Sequence, residues 1–307
     1  MAEKLTHLDA DATPLSHRVN TLSRWLQAIF RFARQKPLGA WGAAVVVLMI
    51  LVGVTADFLA PYDPLETRYN LMMQAPNMTF WLGTDAYGRD ILSRLIYGSR
   101  TALLVGFSAS LFGATVGAVI GVVSGYFGGR IDLTVQRIMD ILLSFPLIVM
   151  ALAVVAALGD LPIPRTVAVI IAIAVPMTPR CARVVRSSAL TIRQMPYLDA
   201  ARVLGFGHMR IIFRHMLPNV VASYLIMLTA FLGQAILLEA SLSFLGLGVS
   251  EPTPAWGLML RGAAIEFAEE APWMGIFPGL AISLGVFGFN LFGDSLRDVL
   301  DPKLRLS

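Results

Sequence analysis

The sequence predicts an all-α integral membrane protein with six transmembrane helices and both termini in the cytoplasm. Three observations predict it. First, the 307 residues are 56% hydrophobic and only 14% charged, with a mean hydropathy of +0.70, whereas a soluble chain carries about 25% charged residues. Second, six apolar runs can be counted: Leu38–Ala60, Thr101–Phe127, Ile138–Leu158, Thr166–Thr178, Val220–Phe244 and Gly275–Leu291. A bilayer core about 30 Å thick needs about 20 such residues per helix. Third, an even number of spans puts both termini on one side, and Lys and Arg fall unevenly across the two sides. Eighteen lie on the terminal side and six, Arg68, Arg89, Arg94, Arg100, Arg165 and Arg261, on the other. Positive residues stay inside, so the terminal side is cytoplasmic.

The fourth run is the weakest element. Pro176 and Pro179 interrupt its end, although a helix can continue to about Arg186. The charge count supports it, because without it the seven arginines from Arg180 to Arg214 would lie outside. The predicted organisation is a cytoplasmic segment 1–37, a first span 38–60 and a periplasmic segment 61–100. A core 101–296 with a cytoplasmic loop at about 187–218 follows, and then a cytoplasmic tail 297–307. The first 37 residues are polar, and the run behind them is too long for a signal-peptide core. Within the polar segment, Leu22–Phe32 reads as a short amphipathic helix on the inner leaflet. Outside, Pro61–Arg100 is rich in turn residues and Ala255–Glu270 reads as a short amphipathic helix. These are either a lid or docking surface, or interfacial helices anchored by Trp256 and Trp273.

Catalytic chemistry is hard to find. A lone cysteine, Cys181, allows no internal disulfide and no cysteine-pair metal site. None of the three lysines, Lys4, Lys36 and Lys303, ends a glycine-rich phosphate loop. The four histidines form no HExxH pattern. The main acidic groups near the spans are Asp140 and Glu239, both towards run ends, so an ion-coupled mechanism finds little support. The basic excess follows from topology and needs no nucleic-acid partner.

Two stretches carry more. "GATVGAVIGVVSG" places Gly113, Gly117, Gly121 and Gly125 at four-residue spacing, on one slowly drifting helix face. Another backbone can approach closely there. The face is either a sliding seam in a moving transporter or static packing inside the subunit. "YLDAARVLGFGHMRIIFRHMLPN" is polar, between apolar runs. Pro196 suits a first helical turn, Asp199 complements the helix dipole, and Ala200 and Ala201 favour helix. Gly205 can close the helix in a left-handed conformation, Gly207 permits a second break before His208–Met216, and Pro218 stops that segment. The small residues Ala200, Ala201 and Gly205 either seat in a groove of another protein or belong to a solvated hairpin.

"DAARVLG", then Ile211, then "LPN" from Leu217 and Pro218, resembles the EAA loop of binding-protein-dependent ABC importer permeases. Asp199 stands where that family often has Glu, keeping the charge with one methylene less. "LGTDAYGRDILSRLIYGSRTAL", "LLEASLSFLGLGV" and "FNLFGDSLRDVLDPKLR" resemble blocks of the dipeptide/oligopeptide (peptide/nickel) subfamily, in its C-type permease. The resemblance runs from the first span to the C-terminus. It implies a type I importer permease fold in the bacterial inner membrane. It also implies a homologous second permease, two cytoplasmic ATPase subunits and a periplasmic or lipid-anchored binding protein. The cargo would be a peptide, or else a nickel chelate, glutathione, antimicrobial peptide or oligosaccharide. ATP and Mg²⁺ would be used by the partners, with no cofactor on this chain. Asp199, Ala200, Ala201, Gly205, Ile211, Leu217 and Pro218 would couple to the ATPase, and Gly205→Asp or Ala201→Trp would uncouple it. A secondary transporter acting alone, or a scaffold without transport, are the competing readings.

Overall fold

The computed structural model describes residues 30–262 and 266–300. The chain divides into two units, Met1–Pro37 and Leu38–Ser307. Of the first, residues 30–35 are helical; most of the predicted Leu22–Phe32 helix lies outside the described residues.

The described part of the second unit is mostly helical, with no strand; residues 60–90 form an irregular segment holding one 3-10 turn, Tyr69–Leu71. Helix α1 (Pro37–Val54) and the short α2 (Ala56–Leu59) occupy the first apolar run. Between them Thr55 turns the chain, its Oγ1 donating to Leu51 O at 2.7 Å. Helix α3 (Ile91–Phe127) is 37 residues long, about 55 Å at roughly 1.5 Å per residue. It starts at Ile91 rather than at Thr101, where the apolar run begins. Asp90 caps it, accepting from Ser93 N at 2.8 Å, which satisfies one orphan donor of the first turn. The arginines that hid this start from a hydropathy reading have polar partners. Arg94 donates to Pro64 O, and Arg100 donates to Gly53 O and Asp57.

The third run is not one straight span. It forms α4 (Gly129–Leu143) and α5 (Leu147–Ala157), bent by 96°. Pro146 explains the break, because its ring disfavours helical backbone at the preceding residue. Among the described residues there are therefore five helices long and apolar enough to span a membrane, and six spans if the bent pair is one.

The weak fourth run is a full helix. α6 (Arg165–Arg193) has 29 residues and passes through both Pro176 and Pro179. Proline normally costs a helix about 3 kcal/mol. Here packing offsets that cost: Pro176, Met177, Pro179, Cys181, Ala182 and Val185 are all buried. They lie against the glycine face of α3. A Cβ on Gly113 would stand 2.8 Å from Ala174 O, on Gly117 2.5 Å from Thr178 O, on Gly121 2.5 Å from Ala182 O, and on Gly125 2.8 Å from Ala189 Cβ. The glycine seam is therefore internal, and its partner is α6 of the same chain.

The remaining elements are α7 (Pro196–Val203), α8 (His208–Phe244), α9 (Trp256–Leu260) and α10 (Trp273–Leu300). The predicted amphipathic helix Ala255–Glu270 is thus helical at Trp256–Leu260, with Gly262 at φ +81° turning the chain. Residues 263–265 lie outside the described residues.

Tertiary bonds sort these pieces into two ends. Tyr126, next to the end of α3, bonds His208 at the start of α8. At the opposite end Trp256 Nε1 donates to Leu95 O, Trp273 Nε1 to Thr84 O, and Arg165 to the carbonyls of Leu247 and Gly248. Helices α1 and α10 run antiparallel, with Gly42 against Gly288 and Phe292. Leu38 and Leu300 therefore lie at the end that carries α7, called here the loop end.

Candidate functional site

At the loop end the opening stretch folds as a helix, a turn and a second helix. Pro196 occupies the first turn of α7, where its missing N–H costs nothing. Asp199 in that turn pairs with Arg202 at 2.6 Å. The helix closes at Gly205, whose φ is +76°. Phe206 N donates to Ala201 O at 3.1 Å and Gly205 N to Arg202 O at 2.9 Å. This pair of bonds is the Schellman arrangement, which uses a left-handed residue to satisfy orphan carbonyls.

The second helix does not stop at Pro218. It begins at His208, widens into a π-helical turn at Ile212–Met216, and continues to Phe244. Leu217 N donates to Ile212 O, a bond five residues back. A proline ring in a regular helix collides with the carbonyl four residues before it. The wider turn ahead of Pro218 accommodates it, so the loop and the span form one helical rod.

The loop is clamped to the bundle. Leu198, Ala201, Ile211, Ile212 and Met216 are buried in the main core. Phe206 stacks on His215 at 6.1 Å, Arg210 lies 4.1 Å over the Phe206 ring, and Asn219 donates to His215 O at 2.6 Å. Around the same end, Arg186 pairs with Asp132 and Arg183 with Asp140, tying α4 to α6.

The predicted coupling residues are thereby divided. Ala201 is only 4% exposed and Ile211 is buried, so both hold the loop to its own subunit. Ala201→Trp would break the fold rather than test docking. Asp199, Ala200, Gly205 and Pro218 face solvent, and Leu217 is half-buried. Sequence reading missed the apolar tip: Val203 is 88% and Leu204 72% exposed. The signal that could have found them is their place right after "DAA": Val203 falls on the helix face opposite Leu198 and Ala201, and Leu204 is the C-cap ahead of the Gly205 turn. Two large apolar side chains thus stand in solvent where α7 ends, at the tip of a charged loop.

The helical bundle, its long apolar spans and this projecting loop define a multi-pass membrane protein of the type I importer permease fold. Solved structures agree. The methionine ABC transporter MetNI, in inward-facing conformations, has a chain matching 69% of this one and 98% of its own length, with a TM-score of 0.54 at 19% identity. The chain belongs to the family described as binding-protein-dependent transport system inner membrane component, whose profile matches residues 117–306. Residues 23–76 match the N-terminal transmembrane domain of oligopeptide transport permease C.

Among curated relatives, the dipeptide transport system permease protein DppC of Alkalihalophilus pseudofirmus is 39% identical, over 99% of this chain and 98% of its own. The glutathione transport system permease protein GsiD of Pectobacterium atrosepticum is 41% identical, over 92% of each chain. A putative peptide transport system permease protein of Brucella abortus is 40% identical, over 86% of this chain and 88% of its own. The chain is accordingly an inner-membrane permease subunit of an ABC importer and not itself an enzyme; ATP is hydrolysed by partner ATPase subunits. Such a permease works with a second permease and a substrate-binding protein.

Proposed function

We propose that this chain is the C-type permease of an importer for short peptides. It pairs with a homologous permease to form the translocation path. Its loop end faces the cytoplasm, where α7 seats in a cleft of one of two ATPase subunits and moves with it. The observation that carries this is the tip of α7. Val203 and Leu204 stand in solvent while Leu198 and Ala201 fix the helix from behind. A rigid helix with an uncovered apolar end transmits force; a flexible one would not.

The side assignment rests on the charge count, eighteen Lys and Arg against six. It makes 1–37 and 297–307 cytoplasmic and most of 61–100 periplasmic. ATP and Mg²⁺ belong to the ATPase partners, and this chain holds no cofactor. Dipeptides or oligopeptides are the cargo read from the relatives' names. Glutathione is the second reading, favoured by a relative of similar identity.

Gentle detergent purification of the tagged chain tests the assembly. Two P-loop ATPase subunits and a homologous permease should co-elute. The binding protein encoded with them should bind a dipeptide or glutathione, which separates the two cargoes. A chain that elutes alone and transports in vesicles without ATP would overturn the proposal.

A further inference from the structure

At the far end of the bundle lies a cavity of about 300 Å³, at the lower end of the range for small-ligand sites, about 300–1,000 Å³. The segment 85–89, the first turn of α3, Glu251, the end of α9 and the start of α10 form its walls. One side is apolar, from Ile91, Leu258, Met259, Phe267 and Met274. The other side carries three guanidinium groups, Arg89, Arg94 and Arg261, and three carboxylates, Asp85, Glu251 and Glu266.

Internal pairing does not use up these charges. Asp85 is fully engaged, accepting from Arg89 Nε at 2.6 Å and from the backbone of Tyr87 and Arg89. Glu251 accepts from Arg89 at 3.2 Å. Arg94 is different. It is 1% exposed, and its Nη1 donates to Pro64 O at 3.2 Å. Its closest carboxylate oxygens stand 3.7 and 3.9 Å away, and its Nε is buried without a hydrogen-bond partner. A buried, unsatisfied donor on a cation is costly, and native structures usually place a partner there. At the rim, Arg261 and Glu266 take part in no ion pair or side-chain hydrogen bond among the described residues. The Arg261 guanidinium lies over Gly246, its Cζ 2.7 Å from where a Cβ on that glycine would stand.

The groups left over are therefore one buried N–H of a cation, one rim cation and one rim anion, beside an apolar wall. We propose that this cavity is a binding site for a short zwitterionic peptide. Arg94 Nε and Arg261 take the α-carboxylate, Glu266 takes the ammonium group, and the wall around Leu258 and Phe267 takes an apolar side chain. The proposal rests on the import reading, and it places a cargo site on this chain at the end opposite the ATPase loop. A pocket for a simple anion would not need Glu266 or the apolar wall.

Saturation-transfer NMR tests it on the whole transporter in nanodiscs, without binding protein or ATP. The probes are L-alanyl-L-alanine, its C-terminal amide and acetate. The dipeptide should bind, and the amide and acetate should bind about ten-fold more weakly, as expected for loss of a charge-assisted contact. Glu266→Gln and Arg261→Gln, both at exposed positions, should each weaken dipeptide binding several-fold. Arg94→Lys, which keeps the charge and removes Nε, should weaken it about ten-fold.

Equal binding of the amide would overturn the proposal, as would no loss in the two rim variants. Acetate competing at the dipeptide's own concentration would mean a bare anion site, and would overturn it too. ATP-driven uptake of the dipeptide with binding protein is measured on the same preparation. Uptake without nanodisc binding rejects the cavity alone, whereas absence of ATP-dependent uptake rejects the import reading.

Discussion

Tyr126 and His208 share a hydrogen bond of 2.8 Å between the phenol oxygen and Nδ1. Tyr126 lies next to the end of the glycine-faced helix α3, and His208 begins the rod α8. Phe127 packs on the same imidazole at 5.7 Å. This contact joins the loop to a span outside its own rod. Tyr126→Phe should remove about 1 kcal/mol of local stability, or roughly a five-fold faster hydrogen exchange of the 205–209 amides. Hydrogen-exchange mass spectrometry of purified protein checks it; unchanged exchange would mean the bond does not hold the loop.

The glycine seam should be intolerant and selectively so. Gly117→Leu forces a side chain into Thr178 O and Cys181 Cβ, an overpacking expected to cost roughly 3 kcal/mol. Gly279→Ala meets nothing within 4 Å and should leave the melting temperature in detergent unchanged. Thermal unfolding of both variants decides whether the seam is set by backbone approach or by glycine content alone.

Cys181 reports on the same seam. It is buried, and its sulfur donates to Ala114 O at 3.2 Å. A membrane-permeant maleimide should not label it in the resting transporter or during ATP turnover, if the seam is static. Labelling that appears only in turnover would mean that α3 and α6 slide apart.

The ion pair between Asp132 and Arg186 ties α4 to α6, and Asp132 is nearly buried. Asp132→Asn should cost about 2 kcal/mol by leaving a guanidinium half-covered and unpaired. The double variant Asp132→Asn, Arg186→Gln should cost less than the two single changes combined, and a double-mutant cycle on unfolding measures the difference.

Much of this fold was legible because membrane helices advertise themselves by apolar length. The exceptions each have a cause. Helix α3 starts at Ile91 because Arg94 and Arg100 find carbonyl and carboxylate partners, which hydropathy cannot see. Helix α6 passes two prolines because its neighbour is a face of glycines. The third run breaks because Phe145 precedes Pro146, a local signal that a count of apolar residues overrode. Pro218 predicts a stop, and the π-helical turn ahead of it absorbs the ring instead.

In the loop, the motif located α7, the Gly205 closure and the split at Gly207. It did not say which face is inward. Ala201 and Ala200 are adjacent, yet one is buried and the other exposed, and only the packing of Leu198 and Ile211 decides between them. The far-end cavity was not legible, since it joins residues near 85–94 to residues near 251–274.

The most direct test is peptide uptake into proteoliposomes holding the whole transporter, with ATPase activity measured in parallel, for Leu204→Asp. The substitution puts a charge at the exposed tip of α7 and touches nothing in the subunit core. Uptake should fall about ten-fold or more, as for loss of a central interface contact. ATP hydrolysis should continue without responding to liganded binding protein, and the detergent melting temperature should be unchanged. Wild-type uptake by Leu204→Asp would contradict a coupling role for α7.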